Sequence, residues 1–124
     1  MGFQIRFDHS ARIVRATFFG PVELEDKLDA AQQVAEKYGH LQPLPLLVDV
    51  REAKIRLSLE ERKAFGQFAA RLPGLRHART AVLHAPEINA NVVINDWARN
   101  EGMLLGEFIT EHMALSWLAA DVVT

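Results

Sequence analysis

An α/β fold is what this sequence predicts: a five-stranded, mostly parallel sheet with an antiparallel N-terminal strand and four helices packed on it. Three observations carry the expectation. Leu46-Leu47-Val48, ending on Asp49, is apolar without alternation and too short for a helix, which suits a strand covered on both faces. A helix follows, opening at Ser58 and stopping at Pro73-Gly74, with Leu59, Arg62, Phe65, Phe68, Ala69 and Leu72 close to one stripe. Strand-length and helix-length segments alternate through the chain in the order ββαβαβαβα, which builds a mostly parallel sheet.

The elements follow in turn. Phe3, Ile5 and Phe7 alternate with Gln4, Arg6 and Asp8, and after the turn residues Asp8-His9-Ser10 a second strand runs from Arg12 to Phe19. Each strand has a polar side, so the pair reads as an antiparallel hairpin with one face partly wet, ended by Gly20-Pro21. A helix from about Glu23 to Tyr38 aligns Leu24, Leu28, Ala31, Ala35 and Tyr38, carries Glu23, Glu25 and Asp26 at its N-terminus, and meets Gly39 as a C-terminal cap. His40 to Pro45 is a connecting loop, and the charged run Arg51-Glu52-Ala53-Lys54-Ile55-Arg56 reads as a second one. Arg79 to His84 is the next strand. A helix over about Ala90 to Glu101 turns Val93, Ile94, Trp97 and Ala98 inward, with Asn89 as its N-cap and Asn91, Asn95 and Asp96 facing water. Met103 to Ile109 is the last strand, and Thr110 caps a final helix that buries Met113, Ala114, Trp117 and Leu118.

Residues 1–124 are expected to form one domain, long enough to bury a core without staples. Apolar residues make up 49%, too many for a disordered chain, and a net charge of −2 offers no basic footprint for nucleic acid. The absence of cysteine excludes disulfides, thiolate metal sites and cysteine nucleophiles. The histidines show neither H-x-x-x-H nor H-E-x-x-H spacing, so no metal and no cofactor is expected. The first residues lack the pattern of a signal peptide, and Arg6 stands where a myristoylation motif wants Ser or Thr. No apolar run approaches the roughly 20 residues of a membrane span, and a cytoplasmic location is the expectation.

In such sheets ligands gather at the carboxyl ends of the strands, which singles out the stretch from Asp49 to Ser58, and His84. Ser58 and Glu61 have the S-x-x-E spacing of a capping box, which accounts for the serine; the alternative makes Ser58 a phosphorylation site with its phosphate on the helix N-terminus. Arg51 and Lys54 read as solvated surface charge, or as a hold on an anionic headgroup or a partner protein. His84 reads as a packed, hydrogen-bonded histidine, or as a ligand contact that titrates near neutral pH. Asp49, Ser58 and His84 supply the residue types of a hydrolase triad, but no G-x-S-x-G elbow surrounds Ser58. No glycine-rich phosphate loop follows any strand.

The stretches RIVRATFFGPVELED, LLVDVREAKIRLSLEE, RTAVLH and FITEHMALSWL together resemble the SpoIIAA-like branch of the STAS/SEC14-type proteins over nearly the whole chain. The most specific pieces are Leu46 to Asp49 and the closing A-x-x-W-L at Ala114 to Leu118. The resemblance implies a SpoIIAA-like β-α superhelix with strands in roughly sequential order, the first antiparallel. It also implies two roles. STAS domains of the anti-sigma-factor antagonist type bind partner proteins and are phosphorylated on a serine at a helix start comparable to Ser58, although their Asp-Ser-Ser-Gly pattern is absent here. SEC14-type relatives bind lipids in an apolar pocket.

The first functional expectation is thus a non-catalytic regulatory or protein-interaction domain, forming a homodimer or capturing a protein partner through Arg51 to Leu57 and the helix start at Ser58. The second is a small carrier for an apolar or lipid-like ligand, lined by Phe65, Phe68, Val82, Trp97 and Phe108, with His84 or Arg51 at the polar head. A pocket of several hundred Å³ would be its sign. The third is a hydrolase using Ser58, His84 and Asp49.

Overall fold

Five strands pair in the order in which they occur in the chain. The computed structural model describes residues 2–120. Its elements are β1 (Phe3–Asp8), β2 (Ile13–Val22), α1 (Leu24–Tyr38), β3 (Leu44–Ile55), α2 (Leu59–Arg71), β4 (Ala78–Leu83), α3 (Val92–Asn100), β5 (Leu104–Phe108) and α4 (Glu111–Ala119). β1 lies antiparallel to β2, and every later pairing is parallel. Strands added in one direction through crossovers of one hand place α1, α2 and α3 on the same face of the sheet. α4, coming after the last strand, packs on the other face.

Each face has its own core. On the three-helix side Val14, Ala16 and Phe18 of β2 and Leu44 and Leu46 of β3 meet Ala30 and Val34 of α1, Phe65 and Ala69 of α2, and Ile94 and Ala98 of α3. On the α4 side Ile13, Leu47, Ala81 and Leu83 meet Ala114 and Leu118. β3 and β4 are thereby buried on both faces in their central residues, which is why Leu46-Leu47-Val48 shows no alternation. β1 keeps Gln4 and Arg6 exposed, so the hairpin has the expected wet face.

The charged run after Asp49 is strand rather than loop. Glu52, Ala53, Lys54 and Ile55 pair in parallel with Phe19, Gly20, Pro21 and Val22, so both strands continue past the expected ends at Asp49 and Phe19. Ala53 and Ile55 pack toward the three-helix core while Glu52 and Lys54 face solvent, a period-two pattern that the density of charge conceals. Thr17 pairs with Asp49 but Phe19 with Glu52, so β3 carries one extra residue in a bulge at this point.

Two helical faces differ from expectation at single residues. Leu59 sits in the first turn of α2 with 70% of its surface exposed, and Met113 of α4 is 58% exposed. Both residues lie in the opening turn of their helix. Ser58 is the N-cap of α2: its hydroxyl accepts from Glu61 N at 3.1 Å, and the Glu61 carboxylate accepts from Ser58 N at 2.8 Å. α2 and α3 approach closely at Gly66, where a Cβ would lie 2.6 Å from Ile94 O and 2.9 Å from Trp97 Cβ.

Gly66→Ala is therefore expected to push the two helices apart and to cost about 1–3 kcal/mol of stability, as overpacking does; an unchanged urea midpoint would show that α2 and α3 separate freely. Ser58→Ala removes one acceptor from the cap and should cost about 1 kcal/mol in the same measurement. A loss several times larger would assign Ser58 contacts beyond its own helix.

Candidate functional site

The residues singled out by sequence fall in three places. Asp49 and Arg51 face each other on the α4 side of β3, with Arg51 Nη2 2.8 Å from Asp49 Oδ2. Arg51 also comes within 3.8 Å of Glu111 on α4. Glu111 in turn receives both Nη groups of Arg15, at 3.1 and 3.3 Å, and Arg15 Nε donates to Asp8 at 2.8 Å. An alternating line of charge thus ties β1, β2, β3 and α4 together across the open sheet face. The Arg15 hydrogen bond, helped by the Ala11 N–H, holds the Asp8 carboxyl below its usual range. Lys54 is exposed on the β3 extension and Ser58 caps α2. His84 directs Nδ1 toward Ala85 O at 2.8 Å, while its backbone N–H donates to Phe108 O. No hydrogen bond joins Asp49, Ser58 and His84 among the described residues.

On the opposite face, between the sheet and the three-helix layer, lies a cavity of about 70 Å³. Its wall is mostly apolar: Ala16 and Phe18 from β2, Leu46 and Val48 from β3, Ala31 and Val34 from α1, Phe65 and Ala69 from α2. Four polar residues interrupt it, namely Lys27, Thr80, Asn91 and Asn95. All four are buried, Lys27 with 2% and Asn95 with none of its surface exposed. Phe65 and Val82 line the cavity as expected of a carrier; Phe68, Trp97 and Phe108 do not, and its polar groups are neither His84 nor Arg51.

These polar residues form a directed relay. Lys27 Nζ donates to Asn91 Oδ1 at 2.8 Å, Asn91 Nδ2 to Asn95 Oδ1 at 2.7 Å, and Asn95 Nδ2 to Glu107 Oε2 at 2.9 Å. Glu107, on β5, also accepts from Asn89 Nδ2 at 2.7 Å and from Arg99 Nη2 at 3.1 Å. Burial opposes its ionisation, but the amides of Asn95 and Asn89 and the Arg99 guanidinium outweigh burial and hold its carboxyl below the usual range. Lys27 has no such compensation. Its Nζ stands 4.1 Å from the centre of the Phe18 ring, forms no ion pair among the described residues, and burial lowers its pKa to about 7. Thr80 Oγ1 is buried with no hydrogen-bond partner among the described residues.

The sequence contains signals for these residues, but weak ones. Lys27 precedes Ala30, Ala31 and Val34 at helical spacing, so it begins a small-residue stripe, and those four are the buried residues of α1. Leu24, Leu28, Ala35 and Tyr38, taken as the inner face, flank that stripe in half-buried positions. Asn91 and Asn95 face inward rather than toward water because each amide finds its partners inside the fold. Asn91, not Asn89, is the N-cap of α3, and Asn89 Oδ1 accepts from its backbone N–H.

No protein-family model matches the chain, and no curated protein matches it. Among solved structures it is similar to an uncharacterised protein from the DUF3478 family with a SpoIIAA-like fold, from Shewanella loihica PV-4. The two share 16% identity and superpose with a TM-score of 0.57, over 94% of this chain and 92% of that one. At that identity the likeness is one of fold. Sequential strand order, an antiparallel first strand and helices on both faces agree with it, and the chain has a SpoIIAA-like α/β fold.

Proposed function

We propose that this chain is a non-catalytic SpoIIAA-like domain that holds a small amphipathic molecule in the cavity beneath α1, α2 and α3. One observation carries the reading: an amine without a counter-charge and a hydroxyl without a partner among the described residues line the same mostly apolar space. A buried hydroxyl left unpaired costs about 1–3 kcal/mol, and an uncompensated buried cation costs more. Both costs fall on one small space, as they do at sites kept for a ligand. The cavity is about half the roughly 150 Å³ that holds a benzene, and far below the several hundred Å³ of a lipid carrier. The ligand is accordingly a molecule of a few heavy atoms.

A second reading has a specific observation in its favour. Phe19, 44% exposed, lies beside Glu52 on the extended β2–β3 ribbon, and exposed Leu59 follows Ser58. Phe19 with Arg51 and Lys54 of the neighbouring strand offers a mix of apolar and charged side chains suited to a protein partner or a second copy of the chain. Ser58 would then be its phosphosite, at the expense of the cap and against the nearby charges of Glu60 and Glu61.

The two readings separate in an amide NMR titration with a panel of short alcohols, amides and acids. Shifts centred on Lys27, Thr80, Asn91 and Asn95 are expected; shifts confined to Arg51, Lys54 and Ser58, or none, would defeat the cavity reading. Exchanging Arg51 and Lys54 for Glu tests the other one, which predicts loss of partner capture with the fold intact.

Stability should also depend on pH through Lys27. Its pKa falls from 10.5 to about 7 on folding, so between those values the unfolded chain binds a proton that the fold does not. Stability therefore rises with pH across that window, and the full penalty is present below it. Relative to Lys27→Met, the wild type should gain on the order of 4 kcal/mol between pH 7 and 10 in urea unfolding. A difference that stays constant with pH would mean that Lys27 keeps its ordinary proton affinity in the fold.

A further inference from the structure

We infer that the cavity is a site for a small carboxylate, an acyl acid of about two or three carbons, with its anionic head on the Lys27 amine. This rests on the ligand reading above and names the ligand's chemistry. A carboxylate is an acceptor-only group, and the Lys27 ammonium in the cavity wall is a donor of opposite charge. Asn91 takes one of the three N–H groups of Lys27 and supplies no charge. Among the described residues the neighbouring elements supply none either. β2 presents Phe18, α2 Phe65, β4 Thr80, and α3 Asn91 and Asn95. The titratable groups nearest along these contacts are Glu107, two amides away, and Arg99, which already pairs with Glu107. The charge of Lys27 is thus left for a ligand to balance.

An alcohol or a primary amide would leave the ammonium uncompensated, so the site selects the acid. The apolar remainder, from Ala16 and Leu46 on the sheet to Val34 and Ala69 on the helices, takes the alkyl end. A bound anion favours the protonated amine. Because the free amine titrates near pH 7, binding above that pH takes up a proton from solvent.

The test is an amide NMR titration of the full chain with acetate and with its neutral isostere acetamide, at pH 6.5, 7.5 and 8.5. Acetate is expected to shift Lys27, Thr80, Asn91 and Asn95, with an affinity nearly constant below pH 7 and falling about tenfold per pH unit above it. Acetamide should bind at least about 30-fold more weakly. Lys27→Met should lose acetate binding, and circular dichroism checks that this variant retains the fold. Equal affinity for acetamide would overturn the carboxylate inference while the small-ligand reading stands. Acetate binding unchanged in Lys27→Met would overturn it by placing the acid elsewhere. If neither compound nor the short alcohols bind the wild type, both conclusions fall.

Discussion

β3 has to be buried on both of its faces, and most of the architecture follows from that requirement. Its central residues carry apolar side chains in both directions, so neither a hairpin nor a one-sided sheet can satisfy them. The three helices of the crossovers cover one direction, and α4 has to cross to the other. The division of labour is unequal. α4 is a short helix that covers only Leu47, Ala81, Leu83 and their neighbours, and the rest of that face is left to a line of ion pairs from Asp8 to Asp49. Arg51 and Glu111, at the exposed end of the line, contribute little stability through their own pairing. The effect of the line is to hold the last helix in register with the first strands.

The three-helix side is built differently, from small residues. Ala30, Ala31, Ala69, Ala70 and Ala98 bring helical backbones close to one another and to the sheet, and Gly66 lets α2 touch α3. Small side chains packed among Phe18, Phe65 and Leu46 do not fill every gap, and the cavity is what remains. The polar relay enters this space at the N-terminal ends of α1 and α3, beside the carboxyl ends of the strands. This is the end of a parallel sheet where ligands are generally found. The sequence directed attention to that same end, where Asp49 and Arg51 lie on the α4 face and Ser58 caps α2.

The order and type of all nine elements were legible in the sequence because hydrophobic periodicity reports burial directly. The capping box at Ser58 was equally legible, since it is a local pattern. What escaped were the positions where a residue's chemistry contradicts its place. Lys27, Asn91 and Asn95 are polar and buried, and any reading that assigns polar residues to the surface sends them outward. Their burial depends on partners distant in the chain: Asn91 lies 64 positions from Lys27. The β3 extension escaped for the converse reason, since Glu52 and Lys54 lie on a face that no helix covers and the charges obscured the alternation with Ala53 and Ile55.

The relay from Lys27 to Glu107 has a kinetic consequence. Carboxamides orient dipoles but do not give up protons at neutral pH, so Asn91 and Asn95 join the amine to the surface electrically without offering it a proton path. The amine therefore exchanges protons with solvent directly rather than through the relay, and with 2% of the residue exposed that exchange is slower than at a surface lysine.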